Sequence, residues 1–286
     1  VDWYKVKEDM LPLVEAVTTE EELLEVMGRS IDYLKDGHVW IDTKFSHRGC
    51  FTFYYDENGV VQNDLKQSEI NVALDYTPRR KTVGFGVDRT DVDYNYARVF
   101  LNYSVGVKGM LGSGFDYKKI QFLYRQPILV GGFGRLTPTV EAGKTFGTVP
   151  LGLMSVIPGN QSFFIIDNAF SQMNYYEFIT DEYLAVHLEH NFNGRIFSRV
   201  PGIRKLGLRE FVGVRGVWGD VSQENININA SNIPYIAPKD KIYYEYFVGI
   251  GNIFKCLRID VTWRGNYLEN PDARKMGVKA VFGFHF

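Results

Sequence analysis

An all-β, antiparallel fold behind a short helical segment is the architecture these 286 residues predict, and three observations carry it. From about Phe51 onward, apolar side chains recur at every second position, the period of a two-faced strand. The composition is rich in Phe (21), Tyr (18) and Gly (28), which suits closely approaching strands with aromatic girdles better than a helical enzyme. Turn-forming clusters separate the alternating runs: ENG at 57–59, LGSG at 111–114, VGGFG at 130–134, PGN at 158–160, VPG at 200–202 and ENPD at 269–272.

Residues 1–47 read as helical. Thr19 and Glu22 have the capping-box spacing, Leu23, Met27, Ile31 and Leu34 recur at helical intervals, and Gly37 supplies a stop, while Pro12 ends or kinks an earlier stretch. This segment holds eleven acidic against five basic residues, a balance of −6, whereas residues 48–286 carry +4. Such asymmetry marks two segments of different character.

The strands follow in order. Ile70, Val72, Leu74 and Tyr76 alternate with Glu69, Asn71, Ala73 and Asp75. Leu101, Tyr103 and Val105 alternate with Asn102, Ser104 and Gly106, and Ile120, Phe122 and Tyr124 face away from Lys119, Gln121 and Arg125. Leu184, Val186 and Leu188 oppose Ala185, His187 and Glu189; Leu257, Ile259, Val261 and Trp263 oppose Arg258, Asp260, Thr262 and Arg264. The last run, KMGVKAVFGFHF at 275–286, alternates to its end. Less regular strands are expected near 51–56, 133–146, 160–170, 206–218 and 241–250, for about ten to twelve in all. The polar stretch Asp220–Lys239 reads as a surface loop.

Alternation alone fits either the core of a soluble sandwich or the outside of a closed barrel. Mean hydropathy is −0.17 and no apolar run is long enough for a spanning helix, a test to which spanning strands are blind. Strands of roughly ten to fourteen residues, tilted about 45°, match an apolar band about 25 Å tall. Tyr117, Trp218, Tyr243, Tyr244 and Tyr267 fall near strand ends, where interfacial girdles form. The expectation is therefore a transmembrane β-barrel over 48–286 in contact with lipid. The opening VDWYKVKEDM is charged throughout, which implies a leader already removed or a start that is not the natural one.

Chemical motifs are sparse. His187 and His190 of HLEH lie three apart, on opposite sides of a strand, so they do not grip one ion. DVDYN at 91–95 begins like a calcium loop but has Tyr96 and Asn102 where glycine and glutamate are needed. GGFGR at 131–135 is followed by a strand, not by the helix of a phosphate cradle, and basic residues are not massed for nucleic acid. Cys50 and Cys256 leave at most one bridge, whose formation the sequence does not decide. No convergent nucleophile, base and oxyanion set is visible, so neither an enzyme nor a cofactor is expected. Arg215, Glu245, Arg258, Asp260, Arg264, His187 and Glu189 fall on the polar faces, where they are expected to form a charge network inside the barrel.

The runs MNYYEFITDEYLAVHLEHNFNG (173–194), RVPGIRKLGLREFVGVRGVWG (199–219) and 243–286, with SEINVALDY (68–76) more weakly, resemble the C-terminal barrel of a Bacteroidetes outer-membrane family. Its members carry a carboxypeptidase-regulatory-like domain ahead of a barrel of the surface-antigen type found in assembly and translocation proteins. That resemblance implies a noncatalytic outer-membrane barrel of Gram-negative bacteria, with outer-membrane lipid and the barrel-assembly machinery as partners and client proteins unnamed. It also implies a C-terminal assembly signal at Lys279, Phe282, Phe284 and Phe286, with Val281 where glycine is usual. Because such barrels have about sixteen strands, a truncated or fused form is expected. GVRG at 213–216 is similar to a superfamily motif at the tip of a loop folded into the lumen, though Val217 replaces the aromatic; Arg215 takes that role or is an ordinary lumen arginine. Asp2-Trp3, Thr18-Thr19-Glu20-Glu21 and LKDGHV (34–39) resemble the N-terminal helical region of tail-specific serine proteases. The alternatives are thus a soluble protease-related fragment lacking its catalytic core, or a passive pore.

Overall fold

A computed structural model describes residues 43–47, 53–63, 65–85, 89–92, 95–230, 237–270 and 272–283. The expected helical elements of 1–42, LKDGHV and Cys50 lie outside the described residues, as do Phe284 and Phe286. Thr43–His47, assigned by sequence to the helical segment, is a strand paired with a later one, so the β unit begins before residue 48.

Ten strands form one antiparallel path in chain order: β1 (Thr43–His47), β2 (Leu65–Tyr76), β3 (Arg98–Gly106), β4 (Tyr117–Arg125), β5 (Arg135–Phe146), β6 (Glu182–Asn191), β7 (Arg209–Asp220), β8 (Tyr243–Ile253), β9 (Leu257–Arg264) and β10 (Met276–Phe282). The short pair-forming strand Ile128–Leu129 adds to β5 and brings the sheet to eleven strands. The all-β antiparallel expectation therefore holds. The path is open: among the described residues no pairing joins β1 to β10.

The strands from β2 to β10 present opposite chemistry on their two faces. β8 alternates strictly, with Tyr243, Glu245, Phe247 and Gly249 buried and Tyr244, Tyr246, Val248 and Ile250 exposed. The buried face of the sheet carries Asn71, Ser104, Thr139, His187, Arg215, Glu245, Asp260, Thr262 and Arg264. The other face shows Val72, Leu74, Leu101, Tyr103, Ile120, Leu184, Val214, Val248 and Val278 to the surroundings.

The inner face is covered by the connection between β5 and β6, residues 147–181. Val149, Leu151, Leu153 and Met154 pack with Leu65, Phe115 and Tyr117, and further along Ile157, Phe170, Met173 and Phe178 pack on Ala185, Val217 and Tyr243. Ser155–Val156 pairs with Ile179–Thr180 and closes the neck of this inner loop. Its middle reaches the free edge of β10, where the Ala280 N–H donates to the Phe163 carbonyl and the Ile165 N–H donates to the Ala280 carbonyl, both at 2.9 Å. The loop thereby supplies partners to an otherwise open strand edge.

Two expectations need correction. Residues 160–170 belong to the inner loop, not to a sheet strand; Asn168 sits at φ 59 and the Asn160 carbonyl is taken by side chains, not by a ladder. Asp220–Lys239 is not simply a surface loop, because Gln223–Ile228 forms a short helix, α1. The i, i+4 spacing puts Asn225 and Asn229 on one side, where both are buried and accept the N–H groups of Val149 and Leu151 at 2.8 and 2.7 Å. The long connection 77–97, at the same end of the sheet as the tight turn 254–256, folds its own small hairpin, Thr82–Val83 with Thr90–Asp91.

Candidate functional site

Strand register gathers residues far apart in sequence into rows. One inward row runs Arg98, Arg125, Thr139, His187, Arg215, Glu245, Arg264 from β3 to β9, each directly opposite the next. One residue along the chain, on the other face, the row is Pro138, Leu188, Val214, Tyr246, Trp263, Met276 from β5 to β10. A side-chain period of two converts a single step in sequence into a complete change of chemistry.

The charged residues of the inner face fall into separate clusters. Glu245, fully buried, accepts the N–H groups of Ser171 and Gln172 at 2.6 and 2.8 Å, and stands 3.5 Å from the Arg215 guanidinium. Arg215 in turn donates to the Ala169 carbonyl and the Ser171 hydroxyl, both at 2.9 Å. The pair thus grips both polar sides of one turn of the inner loop. Arg215 lies mid-strand in β7, so it is not the tip of an inserted loop but an inward arginine that holds one.

Arg258 crosses the inner face to join Glu189 at 2.8 Å and Asp260 at 2.8 Å. Its guanidinium lies 3.9 Å from the centre of the Phe211 ring and 5.6 Å from that of Phe247, so ion pairing and cation–π attraction act on one half-buried group. Glycine makes the room. A Cβ at Gly249 would lie 2.0 Å from Asp260 Oδ1, and one at Gly213 would lie 2.3 Å from the Phe247 ring. Arg264 forms a two-bond pair with Glu177 of the inner loop at 3.1 and 2.5 Å, and also donates to the Tyr267 carbonyl at 2.6 Å.

His187 is buried on the same face with Phe170 5.0 Å from its ring, and neither ring nitrogen has a protein hydrogen-bond partner. His190 points the other way, placing Nε2 2.8 Å from the Phe133 carbonyl, which agrees with the period-two argument. Lys279, expected as the polar position of an assembly signal, is buried and donates to the Asn160 and Ser162 carbonyls at 2.7 and 2.5 Å. Phe282 is exposed on the apolar face.

A family model described as the C-terminal domain of a family of unknown function, DUF5686, matches residues 54–231. The chain belongs to that family. The DUF5686 match runs from the short hairpin of Tyr54–Tyr55 with Val61–Gln62, ahead of β2, through α1, and so takes in the inner loop, Arg98, Arg125, His187, Glu189 and Arg215. No curated protein matches the chain.

Sequence reasoning missed the partners on the inner loop: Ser171, Gln172, Glu177 and Asn160. The signal was the length of 147–181, since structureless connections of that size in compact units are uncommon and usually functional. Arg98, Arg125 and Arg135 were not singled out because parity gives a residue's face, whereas only register shows which residues of other strands stand beside it.

Proposed function

We propose that this chain forms the lipid-facing part of a noncatalytic outer-membrane β-barrel, related to barrels that assemble or translocate other proteins, with a lumen held by its own inner loop. The observation that carries the reading is the inverted polarity of the sheet. Water-soluble proteins rarely leave large contiguous apolar patches exposed. Here Leu188, Val214, Tyr246 and Met276 stand exposed along one row across the sheet, and Val212, Val248 and Val278 along the next, while charges occupy the covered face.

Position along the strands adds support. Outward charges such as Lys144 and Glu182, joined at 2.5 Å, sit at a strand end, and Leu136, Pro138, Val140 and Ala142 precede Lys144 on the same face of β5. An apolar band edged by charge and aromatic residues is the pattern a bilayer selects. The sequence resemblance to Bacteroidetes outer-membrane barrels points the same way. In this reading strands supplied elsewhere complete the closure, and lipid and the assembly machinery are the partners.

The experiment is extraction and gel migration. The chain expressed in a Gram-negative host should partition with outer membranes, require detergent for solubility and migrate faster on a denaturing gel unheated than boiled. A detergent-free aqueous monomer whose mobility does not change on heating would contradict the proposal. Large steady conductance in planar bilayers would favour a passive pore instead, because an inner loop pinned at Glu245, Arg264 and Lys279 obstructs the lumen.

A further inference from the structure

Between the inner face of the sheet and residues 165–168 of the inner loop lies a cavity of about 230 Å³. Five guanidinium groups border it, those of Arg98, Arg125, Arg135, Arg215 and Arg258, together with the imidazole of His187. We propose that this cavity binds monohydrogen phosphate. The site lies on the covered face, so the inference is independent of what solvates the outer one.

The charge arrangement is unbalanced in a particular place. Arg98 and Arg125 are directly opposite each other on β3 and β4, and like charges so placed repel. Asp75 answers Arg98 with bonds of 3.0 and 2.7 Å, and Arg215 and Arg258 are paired with Glu245, Glu189 and Asp260. Among the described residues the Arg125 guanidinium has neither an ion pair nor a hydrogen bond, and Arg135 donates to the neutral amide oxygen of Asn95 at 3.1 Å. Two cations are thus left facing the cavity. Beside them His187, 7% exposed, has both ring nitrogens without a protein partner. A buried polar group without a partner is costly, and an oxyanion accepting one imidazole N–H and several guanidinium N–H groups removes that cost.

Two carboxylates also border the cavity. Both oxygens of Glu189 accept bonds from Arg258, whereas Asp167 forms no ion pair among the described residues. An acceptor of this kind repels sulfate, which is all acceptor at neutral pH, and accepts the P–OH of monohydrogen phosphate. The combination selects a protonated oxyanion. Arg98 and Asp167 on the cavity's border are exposed, so the space opens to water and the expected occupant is a soluble ion, not the headgroup phosphate of a lipid.

The test is titration calorimetry of the full chain in non-ionic detergent and phosphate-free buffer. Inorganic phosphate should bind saturably and at least about tenfold more tightly than sulfate. The double variant Arg125→Gln/Arg135→Gln should weaken phosphate binding by about tenfold or more while keeping wild-type migration of the unheated protein, and Asp167→Asn should narrow the preference for phosphate over sulfate. No saturable heat from phosphate, or unchanged binding by the folded double variant, would overturn the site. Binding of phosphatidic acid in micelles without binding of inorganic phosphate would overturn the soluble occupant.

Discussion

Arg215 and Glu245, directly opposite on β7 and β8, stand 3.5 Å apart and hold the carbonyl and amide sides of the same loop turn at residues 169–172. Two strand side chains therefore fix the position of a long connection from the inside of the sheet. Breaking a buried pair leaves a charge without compensation, at a cost of about 3–5 kcal/mol. The Glu245→Gln variant should release the inner loop and lower stability by that order. Chymotrypsin should then cut at Phe170 or Phe178, both fully buried in the wild type, under conditions where the parent chain resists.

Glycine on the inner face is a steric requirement that a conservative substitution exposes. At Gly213 a methyl group would meet the Phe247 ring at 2.3 Å and the Leu188 carbonyl at 2.6 Å, and backbone on one side leaves little room to yield. Gly213→Ala should destabilise by about 1–3 kcal/mol, read as a lower temperature for loss of the fast-migrating form. The Phe247→Leu change in the same chain should restore part of the loss.

The Glu177–Arg264 pair makes loop attachment sensitive to acid. Burial opposes ionisation of Glu177, but the Arg264 guanidinium, the Asn174 N–H and the Asn270 amide outweigh it and hold the carboxyl below the ordinary glutamate range. A depressed folded value means that the carboxylate stabilises the docked loop above the ordinary value, about 4.3, and that this contribution is lost as pH falls through the folded one. Wild type should exceed Glu177→Gln in resistance to proteolysis at neutral pH, and the gap should close below about pH 4.3. A gap that persists unchanged to lower pH would refute the assignment.

Much of the sheet was legible because its signal is local. The alternation of Leu257 to Trp263 against Arg258 to Arg264 is written in eight consecutive residues, and β9 occupies that run. The same holds for the inward-facing set, since a residue's face follows from parity within its strand. What stayed hidden depends on long-range geometry. Nothing near Glu245 announces that its partners are the N–H groups of Ser171 and Gln172, and nothing near Lys279 announces the Asn160 carbonyl. Residues 160–170 read as a strand because apolar content alone does not separate a ladder from a loop packed inside.

The central claim is that the apolar face of the sheet meets hydrocarbon, and accessibility of spin labels tests it most directly. Cysteines would be placed singly at Val214, Val248 and Val278, with Cys50 and Cys256 replaced by serine, and the labelled chain reconstituted in bilayers. The account predicts that oxygen, which concentrates in the hydrocarbon, relaxes all three labels more strongly than a water-soluble nickel chelate does. Labels at these positions relaxed mainly by the chelate would contradict it.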